Sequence, residues 1–210
     1  MKTVKSQFID KMEEYSDEKL YSSILACTPQ HLDVVNWPEY PYTPEVTFRV
    51  AHSEKAVAVL YEVSEDNVRA VSLESNGPVW EDSCVEFFIK HPSKPGYVNI
   101  EINCIGTARA AYRTGREDAE HFPEEKVAKI RRVHSLPHEV IDSHEKGKKW
   151  WMIEVVPFEL LDLDRKPESL RANFYKCGDK CEKMHFLSWN PIAIPAPDFH
   201  RPDFFGEIVF

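Results

Sequence analysis

The sequence predicts an all-β protein, an antiparallel β-sandwich of the jelly-roll or immunoglobulin-like type with a short N-terminal helix. The first observation is a series of about ten short segments in which apolar and polar side chains alternate. The second is the presence of 15 prolines among 210 residues, together with few long helical patterns. A chain of this length is sufficient for one sizeable domain.

In each strand segment the alternation directs one row of side chains toward the core and the other row away from it. Residues 157–161 suit a single helical turn after one such strand. We expect strands at residues 46–50, 56–63, 82–89, 97–104, 107–112, 127–133, 150–156, 170–176, 185–189 and 206–210.

The first 20 residues are charged and carry apolar side chains at helical spacing. We therefore expect a helix there that lies on the domain, and we divide the chain into an N-terminal helical extension, residues 1–30, and a β-sandwich domain, residues 31–210. The apolar positions that define this helix are Phe8, Ile9, Met12 and Tyr15.

Composition and charge exclude several classes of partner. The net charge of −9 disfavours a nucleic-acid partner, which requires a clustered basic surface. The one concentrated basic stretch, residues 126–132, reads as a strand with a charged outer face. No apolar run approaches the length of a membrane span, so we expect no membrane insertion. The N-terminus lacks the apolar region of a signal peptide, so we expect a cytoplasmic chain or a processed exported form.

Five cysteines cannot all pair, so at least one remains a thiol. Cys84 and Cys104 fall inside predicted strands, where we expect small buried hydrophobic groups. Cys177 and Cys181 could close a short loop through a disulfide. A zinc site at that pair would need two further ligands, and His185 is the one soft ligand close in sequence. The sequence therefore leaves a metal site undetermined.

The most informative segment is residues 77–89, where an aromatic residue precedes a strongly alternating strand. The apolar row of this strand must face the core, and Glu86 lies in the opposite row, six residues after Trp80. An indole ring offers an apolar platform for the C–H face of a pyranose, and a carboxylate accepts hydrogen bonds from its hydroxyls. The segment therefore indicates a sugar site.

Other candidate site residues lie on the neighbouring predicted strand and near the C-terminus. Asn99, Glu101 and Asn103 share the outward row of that strand and would extend a polar face from Glu86. The Pro-braced loop of residues 197–206 contains aromatic residues and could form a second wall.

Four stretches, taken together, resemble the family 9 carbohydrate-binding modules of the carbohydrate-binding-domain-like, or DOMON-like, β-sandwich group. They follow one another over the last two thirds of the chain, and the first 30 residues lie outside the resemblance. The stretches are residues 80–89 (WEDSCVEFFI), 151–161 (WMIEVVPFELL), 171–176 (RANFYK) and 199–208 (FHRPDFFGEI).

The resemblance implies that Trp80 is one of two aromatic rings that sandwich a terminal sugar and that Glu86 is the carboxylate that binds its hydroxyls. Phe199 falls where the family has its second Trp, which is the main departure from the pattern. Arg171 and Asn173 share one face of their strand and could reach the same sugar.

The implied function is non-catalytic binding of a saccharide or polysaccharide, accessory to polysaccharide degradation. We expect no catalytic residue and no cofactor. The family also binds structural calcium, for which this chain offers no compact run of Asp side chains.

Two alternatives remain open. A glycoside hydrolase would use Glu86 and Glu101 as paired carboxylates about 5 to 9.5 Å apart, although outward strand positions are normally solvated and keep ordinary pKa values. A haem-binding or protein-interaction sandwich would need axial ligands, for which Met152, Met184 and His185 are the candidates.

Overall fold

The computed structural model describes residues 1–210 and confirms an all-β sandwich with a short N-terminal helix. Helix α1 spans Asp17–Leu25 and helix α2 spans Glu124–Val127, while single 3₁₀ turns occupy Met12–Glu14, Val79–Glu81, Phe158–Leu161 and Pro202–Phe204. The strands in chain order are β1 (Thr3–Lys5), β2 (Gln7–Phe8), β3 (Gln30–His31), β4 (Val34–Val35), β5 (Glu45–His52), β6 (Ala56–Glu65), β7 (Arg69–Ala70), β8 (Cys84–Lys90), β9 (Tyr97–Asn103), β10 (Ala108–Arg113), β11 (Ala119–His121), β12 (Arg131–His134), β13 (Ile141–Asp142), β14 (Lys148–Pro157), β15 (Ser169–Cys177), β16 (Phe186–Ser188) and β17 (Gly206–Val209).

The strands form two large sheets and one small ribbon. The nine-stranded sheet has the order β1-β17-β15-β8-β9-β10-β11, with β16 also paired to β15 and β4 to β16. The six-stranded sheet has the order β12-β14-β6-β5-β2, with β3 also paired to β5, and β7 pairs with β13 in the ribbon. All pairs are antiparallel except β1 with β17 and β2 with β5. The predicted helical turn at residues 157–161 is confirmed by the 3₁₀ turn that follows β14.

The sandwich interior is a single apolar cluster of 36 buried residues drawn from both sheets. The predicted inward row of β8 is confirmed, because Val85, Phe87 and Ile89 all belong to this cluster. The Phe87 ring lies parallel to Phe174 of the neighbouring strand, with ring centres 4.9 Å apart. Trp189 is 1% exposed and also packs here.

The outer faces of both sheets are covered as well, which the alternation does not reveal. Eleven buried residues lie between the six-stranded sheet and α1, with Leu20 and Ile24 from the helix fully buried. A third cluster of ten residues lies on the outer face of the nine-stranded sheet, where Trp37 and the segment of residues 192–205 cover Phe88 and its neighbours. The outward row of β8 and β9 is therefore buried rather than solvated, because chain from distant parts of the sequence folds over it.

The predicted N-terminal helix lies later in the chain than its apolar spacing suggested. Phe8 belongs to β2, Met12 to a 3₁₀ turn, and α1 begins only after Ser16, whose side chain accepts a hydrogen bond from the Lys19 amide. This N-cap is the sequence signal that fixes the start of the helix. β1 pairs with β17 of the nine-stranded sheet, and β2 pairs with β5 of the six-stranded sheet. The domain boundary at residue 30 remains a prediction.

The basic stretch of residues 126–132, predicted to be a strand, is only partly one. Residues 124–127 form α2, and the strand starts later, at Arg131. Pro123 is the N-cap residue of α2, and the two acidic residues that follow it favour the first turn because negative charge is favourable at a helix N-terminus. None of the helices has the length and apolar character that crossing a membrane requires.

Candidate functional site

A cleft of about 810 Å³ opens on the outer face of the nine-stranded sheet. Its floor is formed by the outward rows of β8 and β9, and β10 with the β10–β11 segment forms one side. The C-terminal loop around residues 197–200 forms the opposite side. Four of the predicted site residues line this cleft: Trp80, Glu86, Glu101 and Phe199.

Trp80 reaches the cleft because the 3₁₀ turn before β8 is firmly anchored. Asp82, which follows the turn, is completely buried and pairs with the Arg69 guanidinium. It also accepts hydrogen bonds from two backbone amides just after β7 and from the Asn103 side chain, the last at 3.0 Å. On the other side, the Asp179 amide donates to the Trp80 carbonyl at 3.1 Å. Asn103 therefore positions the turn and does not line the cleft.

The indole of Trp80 is half-buried, and one of its faces is covered. The Arg109 guanidinium lies over the ring, 4.6 Å from its centre, which is a cation–π contact. Arg109 is itself held by the Asn76 carbonyl at 3.0 Å and by Nε2 of His121 at 3.1 Å. The contact holds the plane of the indole and covers the face toward Arg109, while Trp80 also packs against the third apolar cluster and contributes its remaining exposed surface to the cleft.

Two buried carboxyl groups lie side by side on the floor. Glu86 and Glu101 are directly opposite each other on β8 and β9, and each is only 3% exposed. The Cys177 thiol donates to Oε1 of Glu86 at 3.1 Å, and the Asn99 amide donates to Oε1 of Glu101 at 2.6 Å. Oε2 of Glu101 has no hydrogen-bond partner in the protein. The expectation that these strand positions are solvated is thus wrong, because the C-terminal loop and β10 enclose them.

Burial also changes how these two groups titrate. Desolvation, together with the nearby Glu101, raises the pKa of Glu86 well above its ordinary range. Desolvation raises the pKa of Glu101 to about 7, against the opposing effect of the Arg109 and Arg113 charges. The pair therefore holds a proton near neutral pH, so the floor presents both a hydrogen-bond donor and several acceptor oxygens.

The second wall carries Phe199, but this ring is less free than a sugar platform would be. It is 8% exposed and lies parallel to Tyr175, with ring centres 4.2 Å apart. The aromatic surface of this wall is extended by Tyr40 and Phe186, which meet edge to face at 4.9 Å. One face of Phe199 is therefore occupied by Tyr175, and the remaining aromatic surface is shared among three rings.

His200, next to Phe199, contributes a neutral imidazole to the same wall. Its Nδ1 lies 2.9 Å from the Tyr97 hydroxyl. Burial and three neighbouring arginines lower the pKa of His200 to about 3.

Arg171 and Asn173 stay outside the cleft lining and support the wall from behind. Arg171 donates to the carbonyls of Phe205 and Gly206, and the Asn173 amide bonds both the N–H and the carbonyl of Asn190. Asn99 likewise lies behind the floor, where it joins Arg113 to Glu101. These side chains hold in place the segments that form the site. That any of the eight predicted residues contacts a ligand remains a prediction.

Sequence reasoning missed several lining residues. Arg109 and Arg113 lie on the same face of β10, so the outward row of the predicted strand at 107–112, continued by one residue, was the available signal. Tyr40, Asp179 and Phe186 come from segments far in sequence from β8 and β9, and no local pattern marks them.

The disulfide and the haem site that the sequence left open are not formed. All five cysteines are free and buried, so Cys177 and Cys181 form no disulfide. Met152 is in the core and Met184 is exposed. Both ring nitrogens of His185 are engaged, by the Lys176 ammonium at 2.8 Å and the Lys183 carbonyl at 2.7 Å. These residues form no common haem-binding pocket.

A β-sandwich with an indole and two enclosed carboxyl groups in one cleft on a sheet face defines a ligand-binding module. The chain belongs to carbohydrate-binding family 9, whose family model matches residues 17–210. This is a family of non-catalytic binding modules. A search of curated proteins gave no match.

Solved structures agree with this assignment. The chain is similar to a candidate carbohydrate-binding protein from Bacteroides uniformis ATCC 8492, with 35% identity, a TM-score of 0.94, and coverage of 100% of this chain and 99% of the other. It shares its fold with a family 9 module from Caldicellulosiruptor kristjanssonii. The complex of that module with glucose has 12% identity, a TM-score of 0.60, and coverage of 99% and 95%. Its complex with cellotriose has 14% identity, a TM-score of 0.59, and coverage of 99% and 93%.

Proposed function

We propose that the cleft binds a saccharide, with a pyranose ring stacked on the part of Trp80 that lines the cleft and its hydroxyls bonded to Glu86 and Glu101. The observation that carries this proposal is that an accessible indole and two buried carboxyl groups line the same cleft. The family assignment supports it, as do the glucose and cellotriose complexes of the Caldicellulosiruptor module. In this function the module is an accessory to polysaccharide degradation.

The hydrogen-bonding groups of the floor suit a ligand rich in hydroxyls. A buried oxygen without a partner costs roughly 1–3 kcal/mol, and Oε2 of Glu101 is such an oxygen. A sugar hydroxyl would donate to it and remove that cost. Because the carboxyl pair also holds a proton, it can donate a hydrogen bond to a second hydroxyl. The floor can thus accept a hydrogen bond from one sugar hydroxyl and donate one to another.

The charges of the cleft favour a neutral sugar over an anionic one. Arg109 and Arg113 on one side are already engaged by protein acceptors. Glu86, Glu101 and Asp179 contribute carboxyl groups to the same cleft, which would repel a uronic acid when ionised.

A glycan array followed by titration calorimetry tests the proposal on wild-type protein and the Trp80→Ala variant. We expect one class of neutral saccharide to bind and the variant to lose at least about tenfold in affinity, or about 1.4 kcal/mol. Trp151→Ala is the matched control, because Trp151 is also half-buried but lies on the other sheet against Tyr21. Equal affinity of wild type and Trp80→Ala would reject the stacking site.

One observation favours a second candidate function, glycoside hydrolysis. Glu86 and Glu101 are adjacent, and both have raised pKa values, as a catalytic acid requires. Incubation of the bound saccharide with the protein separates the two functions. Release of reducing sugar that is abolished in Glu86→Gln would establish the hydrolase, whereas binding without release supports the module.

A further inference from the structure

Three potential metal ligands meet on the floor of the cleft through strand pairing. Cys84 and Cys177 are directly opposite each other on β8 and β15, and Glu86 lies two residues further along β8 on the same face. The two sulfur atoms and a carboxylate oxygen of Glu86 all lie within 4.8 Å of one another, and all three residues are buried. The Cys177 sulfur is 3.1 Å from Oε1 of Glu86.

This set of ligands has a definite chemical preference. Two sulfurs and one oxygen suit Zn²⁺ and related cations, whereas Ca²⁺ and Mg²⁺ are bound by oxygen ligands alone. Tetrahedral zinc with Zn–S near 2.3 Å and Zn–O near 2.0 Å needs ligand atoms about 3.5–3.8 Å apart. The ligand atoms lie within 4.8 Å of one another, so a bound ion needs them to move by at most about 1 Å.

We propose that Cys84, Cys177 and Glu86 form a binding site for a zinc-class divalent cation at the floor of the cleft. Cys177 and Glu86 both line the cleft, so the cation has an entry path, and its fourth position faces the cleft and accepts a water molecule. On binding, the two thiol S–H bonds give way to two metal–thiolate bonds, and the two protons leave to solvent.

A second, independent observation points to a ligand at this place. Glu101 is 3% exposed, faces the same cleft beside Glu86, and has an Oε2 atom with no hydrogen-bond partner. A water molecule on the cation would be a donor for this oxygen. Outer-shell carboxylates of this kind orient the ligands of metal sites.

Cys181 is not part of the site, although it is the nearest cysteine to Cys177 in sequence. Its sulfur contacts the Ser83 hydroxyl at 3.7 Å, and it does not belong to the three-ligand group. Cys27 lies next to α1 on the opposite side of the sandwich, where its thiol faces the Ser23 carbonyl at 3.7 Å. It therefore serves as the matched control cysteine.

Titration of the reduced full-length chain with Co²⁺ tests the site, because cobalt takes the same ligands as zinc and thiolate ligation gives an intense near-ultraviolet charge-transfer band. We expect one equivalent of Co²⁺ to produce this band and Zn²⁺ to displace it. Cys177→Ser and Cys84→Ser should each weaken binding at least tenfold, and Cys27→Ser should leave it unchanged. The absence of a thiolate band, or an equal loss in Cys27→Ser, would overturn the proposal.

Glu86→Gln keeps both thiols and nearly the same side-chain shape, so it tests the site even if a cysteine variant does not fold. We expect at least a tenfold weaker affinity for Co²⁺, and an unchanged affinity would remove Glu86 from the site. The cation site does not depend on saccharide binding, so the two proposals fail separately. A cobalt band without any bound saccharide would leave this inference standing, and saccharide binding without a cobalt band would overturn it alone. Because Glu86 is shared, we expect Zn²⁺ to weaken saccharide affinity.

Discussion

Glu154 is a carboxyl group within the sandwich interior, and its replacement by glutamine should stabilise the protein increasingly as the pH rises. The residue is 1% exposed, and burial raises its pKa to about 8. Tyr61 is its hydrogen-bond partner at 3.2 Å, and Oε2 of Glu154 has no partner. Glutamine keeps a hydrogen bond to Tyr61 but cannot ionise, so it removes the cost of a buried charge.

The sign and size of the effect follow from proton binding. The unfolded chain releases the Glu154 proton near the ordinary value of 4.5, whereas the folded protein keeps it to about 8. Between these two values the folded state binds more protons, so the stability of the wild type falls as the pH rises. At about 1.36 kcal/mol per pH unit, the wild type loses about 3 kcal/mol between about pH 5.5 and about pH 8 through this group.

Chemical denaturation of the wild type and of Glu154→Gln at both pH values measures this difference. The quantity of interest is the change with pH in the stability difference between the two proteins, because other titrating groups cancel in it. Glu45→Gln, at an exposed position at the start of β5, is the control and should show no such change. A stability difference for Glu154→Gln that is the same at both pH values would refute the buried-carboxyl reasoning.

Three further variants test other parts of the structure. Lys176→Met should cost roughly 3–5 kcal/mol in unfolding free energy, because it leaves the buried Glu65 carboxylate without its ion-pair partner. A loss below about 1 kcal/mol would show that the ion pair is not needed for stability. Leu20→Ala should cost about 2–5 kcal/mol in unfolding free energy, since the Leu20 side chain on α1 is fully buried against the six-stranded sheet. An unchanged denaturation midpoint would mean that the helix is not docked. Arg109→Ala should weaken saccharide binding at least about threefold by releasing the Trp80 ring, as measured by calorimetry, and equal affinity would show that the guanidinium has no part in positioning it.

The sequence was sufficient to predict the sandwich and the inner row of most strands. A period of two fixes which residues share a face, so Val85, Phe87 and Ile89 could be assigned to the core without coordinates. The same alternation placed Glu86 and Glu101 together on the other face, where they do lie opposite each other. Strand periodicity is a local property, and it predicts local geometry well.

The burial of that second face could not be predicted, because the chain that covers it is distant in sequence. Trp37 and residues 192–205 close over Phe88 and its neighbours, and nothing in the alternation of β8 signals a cover from elsewhere. The proximity of Cys84 and Cys177 could not be predicted for the same reason, because they lie far apart in sequence. Sequence proximity left a disulfide between Cys177 and Cys181 open, but strand pairing brings Cys177 opposite Cys84 instead.

Strand β8 takes part in two structures at once, since one row of its side chains belongs to the sandwich interior and the other forms the bottom of the cleft. A substitution on that strand should therefore change the packing of the interior and, in the proposed function, the ligand contacts of the cleft together. The segments near Tyr40, Arg116 and Pro197 line the cleft but do not belong to the sandwich interior. Diversification of ligand preference in relatives of this chain should consequently concentrate in those peripheral segments, and a designer seeking a new specificity should vary them first.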